Sequence, residues 1–338
     1  MRCTISGLLV AAMALAFPLG SASAQSGKAV NIATGQTINS DQLEKTLGKV
    51  KASKRYKIGA IEKTLINEHW QEMKRGYEDQ AKALGVDVEV GAAKTESSLT
   101  EQLDLAETML SKNYDALCVS PLAETNLVPA LEKAAAKKVP IINVDDARIT
   151  SVPNVFVGAN HKQMGVLAGE YFAQAFKGKG PVEVALIEGM SGSSASIQRV
   201  AGFKEAVSKS PDLKLVASQP GDWDRMKSLN AMENILQAHP NVKAIYACND
   251  TMGLGVMEAV INAGKKGQIM VIGTDGVPDA QRSIKAGEMT GTIAAFPYAM
   301  GQIAAEVAVR LLEGQKVPEV VVSPMVLVTK ENYSKYFK

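Results

Sequence analysis

The unit that decides the fold first appears at residues 57–90, which read KIGAIEKTLINEHWQEMKRGYEDQAKALGVDVEV. Residues 57–61 are mostly apolar and predict a buried strand. Residues 68–84 predict a helix, because their large apolar side chains recur at helical spacing. Those side chains are Trp70, Met73, Tyr77, Ala81 and Leu84. Gly85 ends the predicted helix, and residues 86–90 form the next strand.

The same alternation of strand and helix continues along the chain in two series. In the first series we predict helices over 99–110 and 124–136 and strands over 116–119 and 140–144. In the second series we predict helices over 165–176, 196–207, 225–237 and 253–263, and strands over 183–187, 214–218, 244–247 and 269–272. Strands that single helices separate form parallel sheets covered by helices on both faces. The sequence therefore predicts an α/β fold with two doubly wound parallel-sheet lobes.

The first 24 residues have the features of a secretory signal peptide. Arg2 gives a positive start, residues 7–19 are almost wholly apolar, and Ala22-Ser23-Ala24 supplies the small residues of a cleavage site. The apolar run is too short to span a membrane. We therefore expect cleavage after Ala24 and a soluble protein exported to the bacterial periplasm.

A polar segment at residues 25–53 precedes the first predicted strand. Ser40 and Asp41, followed by Glu44, resemble the start of a helix with a capping box. The segment is interpreted either as a helix lying on the first lobe or as a flexible leader, and the sequence leaves both interpretations open.

Charge and composition exclude several classes of partner. The chain has 37 Lys and Arg against 35 Asp and Glu, so it offers neither a basic field for nucleic acid nor an attraction to anionic membranes. Beyond the signal peptide the cysteines are Cys118 and Cys248, and both lie in apolar runs. We expect them to be buried thiols in separate lobes.

No catalytic motif is found. Ser193 or Ser194 could be paired with His161 or His239 as nucleophile and base, but no Gly-x-Ser-x-Gly elbow surrounds either serine. Three histidines in the chain make a histidine metal site a poor interpretation. We therefore expect a protein that is not an enzyme and that holds no metal and no cofactor.

Polar and aromatic residues follow the predicted strands, where ligands bind in sheets of this kind. They are Lys63, Asn67, His69, Trp70, Asp145, Asp146, Arg199, Trp223, Asn249 and Asp275. Aromatic rings can cover the faces of a sugar ring, while carboxylates, amides and cations meet the hydroxyls at its rim. Any single Asp could instead cap the following helix, and any single Trp could belong to the core. Together the set predicts a sugar site.

Four segments carry a resemblance to a known family. They are ASQPGDWDR at 217–225, AHPNV at 238–242, Asn249-Asp250 and GTDG at 273–276. These segments resemble the periplasmic sugar-binding proteins of ABC importers, of the ribose/galactose/arabinose type. The resemblance implies ligand contacts at Asn67, Trp70, Asp145, Arg199, Trp223, Asn249 and Asp275.

The resemblance also implies the domain organisation of the type I periplasmic binding fold. Lobe 1 would comprise 54–159 and 296–323, and lobe 2 would comprise 160–295 and 324–338. Residues 25–53 would be an N-terminal extension.

A hinge of three segments would join the lobes, near Ala159, Ala295-Phe296 and Ser323-Pro324. The lobes would close on a sugar or polyol, and the closed form would engage the membrane permease of an ABC transporter. A chemoreceptor is a further candidate partner, and the protein would act as a monomer.

Departures from the family pattern leave the sugar open. Lys63 and the pair Asp145-Asp146 resemble the arabinose-binding branch, whereas Asp275 resembles the ribose-binding branch. Ala295 replaces a glutamine near the hinge, and His69 replaces an aromatic residue. We attribute ligand choice to Lys63 and Asp146, and we expect a pentose, a hexose or a related polyol.

A different ligand on the same fold is the alternative. Lys63 and Arg199 could pair with a carboxylate, in which case the solute would be an amino acid, a nucleoside or a signalling molecule.

Overall fold

The computed structural model describes residues 30–337. The predicted signal peptide at residues 1–24 lies outside the described residues. The chain forms two sheets covered by helices, and the predicted α/β fold with two doubly wound lobes is confirmed. Among the described residues, no helix has the length and apolarity that a membrane crossing requires.

Seven parallel strands form the first sheet. They are β1 (Ile32–Asn39), β2 (Lys57–Glu62), β3 (Asp87–Ala92), β4 (Ala116–Val119), β5 (Ile141–Val144), β6 (Val155–Gly158) and β12 (Val317–Val322). Their order is β1-β12-β6-β5-β4-β2-β3. The helices on this sheet are α1 (Leu43–Leu47), α2 (Glu68–Leu84), α3 (Leu99–Ser111), α4 (Val128–Ala136) and α10 (Pro297–Leu312). We call this unit lobe 1.

Six strands form the second sheet. They are β7 (Val182–Glu188), β8 (Leu213–Pro220), β9 (Ala244–Ala247), β10 (Met270–Asp275), β11 (Gly291–Ala294) and β13 (Val326–Thr329). Their order is β13-β11-β10-β9-β7-β8, and only β13 runs antiparallel to its neighbour. The helices on this sheet are α5 (His161–Ala175), α6 (Ser194–Ser208), α7 (Arg225–Ala238), α8 (Asp250–Asn262), α9 (Pro278–Lys285) and α11 (Tyr333–Tyr336). We call this unit lobe 2.

The chain passes between the two lobes three times, after β6, after β11 and after β12. Each lobe has its own buried apolar core. Cys118 lies in β4 of lobe 1 and Cys248 directly follows β9 of lobe 2, and both thiols are buried. The carboxyl ends of β2 and β5 face those of β7, β9 and β10, so the residues that follow these strands meet between the lobes.

One predicted helix begins later than expected. The sequence predicts a helix from residue 124, but α4 begins at Val128. Pro129 lies in its first turn, where the missing N–H group has no intrahelical acceptor to lose. The proline therefore sets the start of the helix.

The described part of the polar segment, residues 30–53, contains a strand that the sequence analysis missed. β1 pairs with β12, and the register between the two strands shifts between Ala33 and Thr37. Gly35 sits in this bulge with φ +74°, so apolar and polar residues do not alternate regularly along β1. The strand consequently leaves no period-two pattern in the sequence.

A 3₁₀ turn (Ser40–Gln42) and α1 follow this strand. A helix start is present there, but the capping box is wrong, because neither element has a side-chain cap hydrogen bond. Leu43 is 2% exposed and belongs to the core of lobe 1. The buried guanidinium of Arg310 donates to the carbonyl of Gly48 at 2.9 Å. These contacts attach the segment to lobe 1.

We predict that Leu43→Ala lowers the free energy of unfolding by about 3 kcal/mol, because it leaves a cavity where α1 packs on lobe 1. Thr46→Ala, at an exposed position of the same helix, is the control and should change the value by less than about 0.5 kcal/mol. Urea unfolding measures both. Equal, small effects of the two substitutions would contradict the attachment of this segment.

Candidate binding site between the lobes

A narrow cavity of about 30 Å³ lies between the two lobes. All ten residues predicted from the sequence line it, together with Glu96 and Ala195. The structure therefore brings the ten residues together, and their part in binding stays a prediction. Sequence analysis missed Glu96, which lies in the loop after β3, and Ala195, which contributes a backbone group.

Lys63 and Asp146 form a buried ion pair on the lobe 1 side. Their side chains are 2% and 5% exposed. Burial alone would raise the pKa of Asp146, but the positive charge of Lys63 outweighs it and lowers that pKa below its ordinary value. The Lys63 ammonium also lies 5.8 Å from the centre of the Trp70 ring. Both ions are therefore held charged without contact with bulk water.

Glu96 fixes the orientation of two residues at the start of α2. Its Oε1 atom accepts a hydrogen bond from Trp70 Nε1 at 3.1 Å and another from Asn67 Nδ2 at 3.0 Å. Trp70 is 4% exposed and its ring packs in the lobe 1 core. The indole thus has one edge tied to Glu96 and presents the rest of its surface to the cavity and the core.

His69 lies between an aspartate of each lobe. Its Nε2 atom is 3.3 Å from Asp145 Oδ2, and its Nδ1 atom is 3.4 Å from Asp275 Oδ1. Burial would lower the pKa of His69, but the carboxylates of Asp275 and Asp145 raise it to about 10. The imidazolium is therefore charged at neutral pH and connects the two lobes electrostatically.

Asp145 lies near the positively charged side chains of His69 and Arg199. Burial alone would raise its pKa, but the charges of His69 and Arg199 hold that pKa well below its ordinary value. Its backbone has φ +70°, a conformation that L-residues rarely adopt. The strained backbone directs the carboxylate into the cavity.

Arg199 of α6 lines the lobe 2 side of the cavity. Its Nη1 atom donates to the carbonyl of Cys248 at 2.6 Å and lies 3.7 Å from Asp275 Oδ1. Its Nη2 atom donates to His161 Nδ1 at 3.2 Å. His161 must then carry its proton on Nε2, which donates to the carbonyl of Asp145 at 2.9 Å. His161 is thus a support for the site, and burial together with Arg199 lowers its pKa.

Trp223 forms the lobe 2 wall. Asp222 and Trp223 are two successive residues with positive φ, at +52° and +61°. This turn lays the indole against Gly189, where an added Cβ atom would lie 2.1 Å from the ring. The Arg199 guanidinium lies 5.8 Å from the ring centre. The glycine is therefore required for the indole to occupy this position.

Asn249 and Asp250 place the remaining polar groups. Asn249 Oδ1 accepts from the backbone N–H of Met252 at 2.9 Å and caps α8, which leaves its side-chain NH₂ directed elsewhere. Asp250 Oδ2 accepts from the backbone N–H groups of Gly276 at 2.7 Å and Val277 at 3.0 Å. Asp250 thereby holds the turn that follows Asp275.

Several buried polar atoms of the cavity wall have no hydrogen-bond partner among residues 30–337. They are Asp145 Oδ1, Arg199 Nε, Trp223 Nε1 and both ring nitrogens of His69, whose aspartate neighbours lie at ion-pair distance but outside hydrogen-bond geometry. A buried polar atom without a partner is unfavourable by about 1–3 kcal/mol. The wall therefore fits a ligand that both donates and accepts hydrogen bonds.

Glu62, the last residue of β2, is a buried carboxyl group next to the site. It is fully buried, and neither of its carboxyl oxygens has a hydrogen-bond partner within the described part of the chain. Burial raises its pKa to about 8, with the charge of Asp145 adding to the effect and that of His69 opposing it. Glu62 therefore keeps its proton to a higher pH than an ordinary glutamate does.

A family model and two curated relatives all identify this chain as similar to periplasmic binding proteins. The sequence model described as periplasmic binding protein domain matches residues 58–316. The D-allose-binding periplasmic protein of Escherichia coli K12 is 38% identical over 281 residues, which cover 79% of this chain and 90% of that protein. The ribose import binding protein RbsB of Bacillus subtilis 168 is 35% identical over 278 residues, which cover 82% of this chain and 88% of that protein.

A solved structure agrees with these relatives. The crystal structure of an ABC transporter periplasmic solute-binding protein from Actinobacillus succinogenes 130z with bound D-allose superposes with a TM-score of 0.80 at 35% sequence identity. The superposed region covers 83% of this chain and 100% of the crystallised chain.

We predict that Glu62→Gln removes a pH-dependent loss of stability. Glu62 in the unfolded chain ionises near pH 4.5, whereas in the folded protein it ionises near pH 8, so the folded state binds the extra proton and stability falls between these values. Each unit of pKa difference corresponds to about 1.4 kcal/mol. Between pH 5 and pH 8.5 the wild-type protein should therefore lose a few kcal/mol of unfolding free energy relative to the Glu62→Gln protein.

Urea unfolding at a series of pH values measures this difference. Glu78→Gln, at an exposed position of α2, is the control and should show no such trend. A difference between wild type and Glu62→Gln that stays constant from pH 5 to pH 8.5 would contradict the raised pKa.

Proposed function

This chain belongs to the periplasmic binding protein family, and we propose that it is an extracytoplasmic receptor for a monosaccharide or related polyol. It holds the sugar between its lobes and delivers it to the permease of an ABC transporter. The family consists of solute-binding receptors, so we propose no catalytic role. The named relatives bind D-allose or serve ribose import, and we place these two neutral aldoses first among the candidate ligands.

The mutual pairing of the charges in the cavity carries this proposal. Lys63 pairs with Asp146, and His69 lies within 3.4 Å of both Asp145 and Asp275. Arg199 lies 3.7 Å from Asp275. Each of the three cations thus meets an aspartate, and Glu96, which accepts from Trp70 and Asn67, adds a fourth carboxylate to the lining, so no unmatched cation is left for an anionic ligand. A carboxylate brought into this site would lose its hydration without gaining an unmatched positive charge.

A neutral polyhydroxylated ring meets the remaining requirements of the wall. Each hydroxyl donates one hydrogen bond and accepts others. Such groups can accept from Arg199 Nε and Trp223 Nε1 and donate to Asp145 Oδ1, the atoms that protein groups leave without a partner in the described chain. An amino acid would satisfy some of these atoms, but its two charges would disturb the existing pairs.

The two indoles suit the faces of a sugar ring. Trp70 belongs to lobe 1 and Trp223 to lobe 2, and each lines the cavity. Each lobe thus supplies one aromatic surface and part of the hydrogen-bonding groups. We infer that a bound sugar bridges the lobes and favours their closure by hinge motion at the three chain passages.

Export and partners complete the proposal. We propose that residues 1–24 are a signal peptide cleaved after Ala24 and that the mature protein is a periplasmic monomer. We also propose the lobe boundaries 54–159 with 296–323 and 160–295 with 324–338, and ligand binding by the ten predicted residues. Lys63 and Asp146 determine which ligand is bound. A chemoreceptor is a further partner.

We predict that D-allose or D-ribose raises the melting temperature of the mature protein. A ligand at 100 times its dissociation constant stabilises a protein by about 2.7 kcal/mol, which a thermal-shift assay detects readily. Other aldoses and polyols should be screened beside L-amino acids and nucleosides. Asp145→Ala is the control protein and should show no shift with the same sugar. A shift with an amino acid or a nucleoside and with no sugar would contradict the proposed ligand class.

We predict that Gly189→Ala reduces the affinity for that sugar at least tenfold, because the added methyl group displaces the Trp223 indole from the cavity wall. Isothermal titration calorimetry measures the affinity. Gly91→Ala in β3, where the atoms nearest to the added Cβ atom belong to the flexible side chains of Leu105 and Met109, is the control. Unchanged affinity in the Gly189→Ala protein would place Trp223 outside the binding site.

A further inference from the structure

Two carboxylates of lobe 1 accept hydrogen bonds from backbone N–H groups in the first turns of two lobe 2 helices. Asp146 Oδ1 accepts from Ala195 in the first turn of α6 at 2.8 Å. Glu68 Oε2 accepts from Asp279 in the first turn of α9 at 3.1 Å. N–H groups in the first turn of a helix have no intrahelical acceptor, and the helix dipole favours a negative charge there. Both contacts therefore join the lobes through helix capping.

In neither helix does the side chain of the N-cap residue accept a hydrogen bond from these N–H groups, so an acceptor from the opposite lobe can bind them. The N-cap residue of α6, Ser193, accepts from Ser196 and not from Ala195. The N-cap residue of α9 is Val277, which has no side-chain acceptor, and the next residue, Pro278, has no N–H group. The N–H group of Asp279 is thus the first amide of α9 that needs an acceptor, and Glu68 supplies it.

Glu68 makes this contact outside the sugar cavity. It is the first residue of α2 and lies at the mouth of the cleft, where it does not line the cavity that holds Asp145 and Asp275. Burial raises the pKa of Glu68, while the positive charge of Arg282 on α9 opposes that rise. The carboxylate of lobe 1 is therefore attracted both by a helix N-terminus and by a cation of lobe 2.

We propose that Glu68 and Asp146 act as an interlobe cap pair that stabilises the closed conformation of the receptor. Both hydrogen bonds cross from one lobe to the other, so both must break when the lobes separate. Glu68 is then an affinity-determining residue that does not touch the ligand. The effect on affinity rests on the proposed sugar-receptor function, whereas the effect on closure can be measured without any sugar.

The closure test uses the distance between two spin labels. Leu99→Cys in α3 and Met226→Cys in α7 provide exposed positions on opposite lobes, while Cys118 and Cys248 are fully buried. In the sugar-free protein we expect a population at short, closed-lobe distance, and Glu68→Ala should reduce this population at least threefold. Glu78→Ala, on the same helix and paired with Lys74 of its own lobe, is the control and should leave the distribution unchanged. Absence of a short-distance population in the parent, or an equal one in Glu68→Ala, overturns the proposal.

The affinity test uses each sugar that the parent protein binds. Glu68→Ala should weaken binding about fivefold, the usual effect of removing a cap acceptor, through faster dissociation and by the same factor for every sugar. Glu68→Gln retains an oxygen acceptor without the charge, and it should weaken binding about twofold. Unchanged affinity in Glu68→Ala, or a loss confined to one sugar, overturns the proposal. Should the parent bind no sugar at all, the proposed ligand class fails and the spin-label distances alone decide on the cap pair.

Discussion

The structure depends on the neutralisation of charges that are buried between the lobes. An isolated buried ion is strongly unfavourable, and removing one partner of a buried pair leaves the other uncompensated. Lys63, His69 and Arg199 are each matched by an aspartate, and His69 is matched by one from each lobe. One of these pairs, His69 with Asp275, also crosses from lobe 1 to lobe 2. His69 thus takes part both in the charge balance of the site and in the contact between the lobes.

The parallel sheets bring the site residues together, and unfavourable backbone conformations orient several of their side chains toward the cavity. The residues after β2, β5, β9 and β10 come from distant parts of the chain but meet at one edge of each sheet. Asp145, Trp223 and Asp275 all have positive φ, between +61° and +126°. Such conformations are unfavourable for residues with a side chain and persist where the surrounding structure holds them. Here Asp250 holds the turn after Asp275, and Gly189 provides the space for Trp223.

Much of this architecture could be predicted from the sequence, because strand–helix alternation and the strand-end rule depend on short-range patterns. The ten predicted residues lie around one cavity for that reason. What could not be predicted depends on contacts between distant segments. Glu96 sits in a loop without a pattern, and its importance comes from the Trp70 indole that it fixes. Likewise, β1 shows no regular alternation because a bulge interrupts it. The hydrogen bond that Asp146 accepts from the first turn of α6, across the cleft, cannot be predicted from its position after a strand.

The positions of Trp70 and Trp223 have an optical consequence. The chain contains two tryptophans, and they form opposite walls of the cleft, one in each lobe. Each indole also has a cation 5.8 Å from its ring centre. Ultraviolet-excited emission from tryptophan in this protein therefore comes entirely from the cleft. Movement of the lobes or entry of a solute changes the surroundings of both emitting groups at once, so the unlabelled protein is its own fluorescent sensor of cleft occupancy.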